Sequence, residues 1–537
     1  MNVYSSYDGL FIYKKLIYNK ESRDIGINII NHYWILKEIN LNMEKLQEVK
    51  EYIKNIDKLE YAYNLVSYDN MIFMPKKALE QRSEVLGYLS TEIFKLRTSY
   101  KVKEFITYFN PLMEKLSDID RAMIKNMKKN YEQVKNIPRE EYKEFMMLAP
   151  ISEAAWEEAK EKNDFYIYEP YLQKMVEFSR NFAEYYGYED NKYDALLNIY
   201  EPGMTVKKLD KIFSELRDGI IEILKYIENS NKKINRDFLK DKFSIEKQRE
   251  LSKELLRLIK FDMEAGRLDE SMHPFTTNFW NNDVRLTTHY YEEDLMSNIF
   301  SVIHEGGHGL YEQHIDNKLV GTGLGTGVSM GIHESQSRFY ENIIGRSKEF
   351  LSAILPLVKN KFPQLEEVTL DEFYEAVNYV KPSLIRTEAD ELTYSLHIII
   401  RYEIEKQLIN GEIEVKDLPR VWNEKYVEYL GVEPTNDSEG VLQDVHWSDG
   451  SFGYFPSYAL GNIYGGQLLN SLLKENKDAI KNLKNGDISF IDSWLKENIH
   501  RYGCMYEPEE LIKNTTKEEI STKYYLKYLE KKYKEIY

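Results

Sequence analysis

From Met43 onward, apolar residues recur at helical spacing. Leu46, Val49, Ile53 and Ile56 form one stripe with Lys and Glu between them; Ala78, Arg82, Val85, Leu89, Ile93 and Leu96 form a second, and Leu172, Met175, Val176, Phe178 and Phe182 a third. Short connections carrying Pro or Gly separate such segments, and the pattern predicts a mostly α architecture. The texture changes near Asp269. Asp269–Thr277 and Asp283–Tyr291 are rich in threonine and aromatics with alternating polarity, which predicts a small β ribbon beside the apolar run that enters His304. Residues 1–42 are rich in Tyr, Asn and Ile without a clear helical period. The expectation is an N-terminal extension, 1–42, outside a main domain of residues 43–537.

Composition narrows the class of protein. At 537 residues the chain can bury a large core, and length alone suggests two to four domains. A net charge of -17 and a pI near 5.3 leave no basic footprint for a nucleic acid. The lysines from Lys513 to Lys534 alternate with Glu and Tyr and read as a solvated helix face. One cysteine, Cys504, excludes an intrachain disulfide, fits a reducing compartment and reads as a small buried hydrophobe. No run of 18 apolar residues exists, and the first residues lack the basic start, apolar core and small-residue cleavage site of a signal peptide. The expected location is cytoplasmic, with no membrane partner.

The candidate chemistry lies in His304-Glu305-Gly306-Gly307-His308. Histidines four apart on a helix lie one above the other on one face, so their rings can converge on one ion. In this HExxH arrangement the intervening glutamate takes a proton from the water that zinc activates. The bland alternative is a core helix whose histidines satisfy internal hydrogen bonds. Gly306 and Gly307 argue against it. Each costs about 1 kcal/mol against alanine within a helix, a cost that makes sense where something must approach the backbone closely and that simple packing would not require.

A catalytic zinc needs a third protein ligand. Glu312 shares the face of His308, but at about 1.5 Å per residue it lies about 12 Å along the axis from His304, too far to join the same sphere. Glu334, on the helix expected over Gly331–Asn342, is the candidate, with His333 and Glu341 as rivals. The intervening Gly321–Gly327 stretch matches neither a dinucleotide fingerprint nor a phosphate loop and reads as an irregular strand lining a cleft.

The ordered motifs HPF (His273–Phe275), DxRxT (Asp283–Thr287), HEGGH, HESQS (His333–Ser337), IRTEAD (Ile385–Asp390) and GVLQDVHW (Gly440–Trp447) together resemble the M32 metallocarboxypeptidases, the thermostable carboxypeptidase group. Segments Ser67–Pro75, Asn163–Phe165 and Tyr193–Met204 also look like that family, and the similarity runs from about Met43 to the end. The resemblance implies one large helical catalytic domain with a deep substrate groove, a zinc or cobalt ion, a homodimer, and removal of C-terminal residues from peptides. In related helical metallopeptidases an Asp four residues after the glutamate ligand orients an imidazole. Here that position is Arg338, and Glu341 and Asp390 are the candidates for the task.

Roles follow for this chain. His304, His308 and Glu334 would hold the metal, with Glu305 as general base. His446 and Tyr454 are candidate donors to the developing oxyanion. A planar guanidinium suits a free C-terminal carboxylate, so Arg386 is the first candidate for substrate binding and Arg285 the second. Each has a competing role in a structural ion pair, Arg285 with Asp283 and Arg386 with Glu388 or Asp390. His273 is a candidate groove residue, whereas His289 reads as a hydrogen-bonding residue of the ribbon. An endopeptidase or aminopeptidase on the same zinc core, and a scaffold with a structural metal, are the competing functions.

Overall fold

The computed structural model describes residues 20–537, with side chains at Trp34 and from Lys37 onward. Of the expected extension, residues 1–19 lie outside the described residues, and 20–42 belong to the helix Lys20–Ile72. No proline and only Gly26 interrupt that stretch, so nothing local stops a helix even where the apolar period is weak. The chain divides into two units, Met1–Lys58 and Leu59–Tyr537, and the division falls within this helix. The stripes of the sequence become helices with different fates. On Phe165–Tyr186, Leu172, Met175 and Val176 are fully buried. On Leu79–Arg97 no residue is buried.

The second unit contains a three-stranded sheet, one strand more than the expected ribbon. Strands β1 (Gly266–Glu270), β2 (Thr276–Trp280) and β3 (Asp283–Thr288) lie in the order β1-β3-β2, with β1 parallel and β2 antiparallel to β3. Alternation sorts the side chains. Leu286 is buried toward the helix Leu295–Gln313, where a Cβ on Gly309 would come within 2.9 Å of it. Thr276, the β2 partner of Leu286, shares that face. Arg285, paired with Arg267 on β1 and Thr277 on β2, belongs to the opposite one.

Three helices cross at the centre of this unit. Leu295–Gln313 carries the HEGGH pentad, Met330–Arg338 carries HESQS and continues as a π-helix over Phe339–Gly345, and Pro456–Glu475 packs against the second. Two glycines set how closely they approach. A Cβ on Gly307 would lie 2.8 Å from the Gln336 carbonyl oxygen and from Ser337 Cα, and one on Gly461 would lie 2.6 Å from Glu334 Cγ. The group that approaches the HEGGH backbone is therefore a neighbouring helix, so packing does use the pentad's glycine. The Gly321–Gly327 stretch forms turns and no strand. Among the described residues no helix is long and apolar enough to cross a membrane.

Candidate metal centre

The helix Leu295–Gln313 begins at Asp294, whose carboxylate caps the Ser297 amide at 2.9 Å, and its buried face packs Ile299, Val302, Ile303 and Leu310 into the core. That packing fixes its rotation and places His304 and His308 on one side. The crossing helix starts at the Ser329 cap, with Ser329 Oγ accepting from Ile332 N at 3.1 Å, and presents Glu334 to both rings. Glu334 Oε2 lies 3.8 Å from His304 Nε2 and 3.4 Å from His308 Nε2. Donor atoms of these three residues lie within 4.8 Å of one another. Ligands about 2.0–2.1 Å from a tetrahedral zinc stand about 3.4 Å apart, so the cluster has the spacing and the donor chemistry for such an ion.

Each ring is braced from behind. His304 Nδ1 lies 2.8 Å from Glu341 Oε2, and His308 Nδ1 lies 2.6 Å from His333 Nδ1. Both rivals for the third ligand thus stand behind the imidazoles, and Glu341, carried by the π segment, takes the orienting position. Asp390 instead accepts from the amides of Leu392 and Thr393 at 3.0 and 2.9 Å. Arg338, four residues after Glu334, donates to Glu334 Oε1 at 2.7 Å and to Glu341 Oε2 at 3.2 Å.

The charges follow from these neighbours. Burial alone would raise Glu334, but Arg338 and His304 outweigh it and hold the carboxylate well below its ordinary value, so it stays ionised. Burial lowers His308 to about 3 and keeps it neutral, as a metal ligand must be. For His304 burial also pulls downward, yet Glu334 and Glu341 win and raise it. Glu305 is buried and raised chiefly by burial, against the pull of His304. Its Oε2 accepts from Thr276 Oγ1 at 2.7 Å.

The remaining candidates divide into two groups. Arg386 is buried and bound to Asp444, with Nε and Nη2 each 2.8 Å from Oδ1, while Nη1 donates to the Tyr394 hydroxyl at 3.2 Å. Its partner is thus neither Glu388 nor Asp390. Arg401, fully buried, takes the other Asp444 oxygen. Tyr394 lies under the Arg338 guanidinium, 4.1 Å from its ring centre, and so joins the two clusters. His446 packs on Phe455 and Tyr454, and its Nε2 lies 3.1 Å from the Tyr458 hydroxyl. Burial and Arg386 lower His446 to about 3. Burial, reinforced by Glu334, pushes Tyr454 up to about 12, so it keeps its proton.

Arg285 lies on β3, His273 in the β1–β2 connection and His289 just past the end of β3. Arg285 is held by Asp283 at 2.9 and 3.1 Å and, with Tyr61, Arg267 and Trp280, lines a cavity of about 450 Å³. Its place on the strand face away from the HEGGH helix does not bring it to the cluster. His273 is exposed between β1 and β2, and His289 Nδ1 bonds the Ser271 carbonyl at 2.7 Å. The sequence reading did not single out Thr276, Tyr394, Arg401, Asp444 or Tyr458, and it assigned Arg338 no contact. Arg401 had a signal, a charge directly after the apolar run Ile398–Ile400, where only a paired guanidinium can be buried.

Comparison with known proteins places this geometry in context. The family model for the carboxypeptidase Taq (M32) metallopeptidases matches residues 48–533. Carboxypeptidase 1 of Bacillus subtilis (strain 168) is 46% identical over 492 residues, covering 91% of this chain and 98% of that protein. The structure of Pyrococcus furiosus carboxypeptidase superposes with a TM-score of 0.89 at 36% identity, covering 91% of this chain and 99% of the other. An M32 carboxypeptidase from Deinococcus radiodurans R1 does so with a TM-score of 0.88 at 34% identity, over 92% and 99%.

Proposed function

The chain belongs to the carboxypeptidase Taq (M32) metallopeptidase family and is a metal-dependent carboxypeptidase acting on peptides, and we propose that His304, His308 and Glu334 hold a zinc ion, with Glu305 as general base. When bound, zinc supplies Lewis acidity toward the scissile carbonyl and makes water a stronger acid. The observation that carries the assignment is the convergence of two neutral-capable Nε2 atoms and one ionised carboxylate oxygen at ligand spacing. Cobalt suits the same donors. Glu305 is anchored at Oε2 by Thr276, which leaves Oε1 to take the proton of the attacking water and return it to the leaving nitrogen. Its upward shift from burial brings its proton affinity closer to that task.

Arg386 is our receptor for the substrate's C-terminal carboxylate. Two buried arginines share one aspartate, so one positive charge is in surplus beside Tyr394, Tyr454 and Tyr458. Tyr454, which keeps its proton, and His446 donate to the oxyanion. Arg285 is committed to Asp283, and His273, exposed three residues before Thr276, is the remaining contact for substrate. A second copy of the chain covers the helix Leu79–Arg97, whose Leu79, Val85 and Tyr88 are 57%, 47% and 66% exposed, giving a homodimer. The single cysteine fits a cytoplasmic setting; burial raises its thiol to about 12, which suits an inert role.

Glu305→Gln tests the mechanism. The variant keeps its metal, as metal analysis will show, and loses turnover by about 10²–10⁴-fold. Retained turnover would remove Glu305 from the base role, and loss of metal would make it a structural residue.

A further inference from the structure

His304 and His308 both turn Nε2 toward Glu334, but their Nδ1 atoms are held by different chemistry. Behind His304 stands a carboxylate. Behind His308 stands a second imidazole, with His308 Nδ1 and His333 Nδ1 2.6 Å apart. Two ring nitrogens at that separation share one proton, so one ring donates and the other accepts. Glu334 Oε2, 3.4 Å from His308 Nε2, would favour a proton on that side, but the shorter contact on the far side of His333, whose Nε2 lies 2.7 Å from Glu312 Oε1, sets the direction. That oxygen also accepts from the Gly327 amide at 3.0 Å and the Thr326 hydroxyl at 3.3 Å, and Oε2 accepts from Asn278 Nδ2 at 2.6 Å. Glu312 is fully buried and faces donors at both oxygens, so it acts as an acceptor toward His333 as well.

We propose that His333 and Glu312 form a positioning pair that locks His308 in the tautomer protonated on Nδ1, leaving its Nε2 lone pair for the metal. His333 then carries its proton on Nε2 toward Glu312 and accepts the His308 proton on Nδ1. The proposal rests on His308 being a ligand. It also gives the glycine-rich turn a purpose. A Cβ on Gly327 would lie 2.6 Å from His333 Cδ2, so this position must stay bare for the ring, while its amide steadies Glu312. Glu312, too far along the helix to reach the metal with His304, acts on it through two residues, His333 and His308.

The test is a long-range proton–nitrogen correlation spectrum of the metal-free protein with ¹⁵N-labelled histidine, His308 being assigned through His308→Gln, together with zinc titration against a competing chelator. The expected spectrum shows His308 protonated on Nδ1 and bare on Nε2. In His333→Phe the lock is gone, the Nε2-protonated form appears, and the zinc Kd rises about 10–100-fold. A wild-type His308 protonated on Nε2 would overturn the proposal, as would a His333→Phe Kd within about twofold of wild type. Should that variant not fold, the wild-type spectrum decides alone. Failure of the wild type to bind zinc, with His308 still protonated on Nδ1, would instead overturn the ligand assignment and leave the tautomer lock standing.

Discussion

Asp444 is the shared counter-ion of two buried arginines, and removing its charge leaves both without one. Asp444→Asn should therefore destabilise the protein by about 3–5 kcal/mol in urea unfolding, far more than loss of an exposed pair. Arg386→Ala has a different signature, because Arg401 still satisfies Asp444. It should raise KM for peptides with a free C-terminus and leave the turnover of an amidated peptide, which offers no carboxylate to bind, as it is in the wild type. An equal loss on both substrates would remove Arg386 from carboxylate recognition. At this scale, what helix spacing governs was legible: His304 and His308, four residues apart, stand on one helix face with donor atoms near those of Glu334. Pairings across many residues, such as Arg386 with Asp444, were not, because two nearer acids offered the same charge.

Elements were legible wherever an apolar stripe faced the protein's own core. The helix Phe165–Tyr186 shows this, whereas the weaker stripe of Leu79–Arg97 buries nothing, since periodicity reports an apolar face and not what covers it. Strand β1 escaped notice because Gly266–Glu270 is polar and only its pairing with β3 makes it a strand. The crossing of the three central helices depends on absent side chains. Gly461→Ala would push Cβ to 2.6 Å from Glu334 Cγ. We expect it to lower thermal stability by about 1–3 kcal/mol and to weaken zinc binding by displacing the carboxylate. Unchanged zinc affinity would show that the helix–helix spacing does not set the ligand position.

At the scale of the whole molecule, buried titratable groups predict an acid limit. Burial lowers His446 to about 3 and His314 to about 4, so below the ordinary imidazole value of about 6.5 the unfolded chain takes up protons that the folded one refuses. Asp444 works in the same direction. Burial would raise it, but Arg386 and Arg401 hold it below the usual carboxylate range, and its contribution is lost as acid protonates the unfolded chain. Glu201 and Glu405 oppose this above about pH 4.5, since burial raises both to about 7 and the folded protein then gains protons first. Urea midpoints with chelator present should thus change little from pH 7 to about 4.5 and fall steeply below it. A midpoint constant down to pH 3 would contradict these assignments. The measurement that bears most directly on the account is anomalous diffraction at the zinc absorption edge from crystals of the zinc-loaded protein. A single strong peak within ligand distance of His304 Nε2, His308 Nε2 and the Glu334 carboxylate is predicted; a peak elsewhere, in protein whose peptidase activity is abolished by chelator, would contradict it.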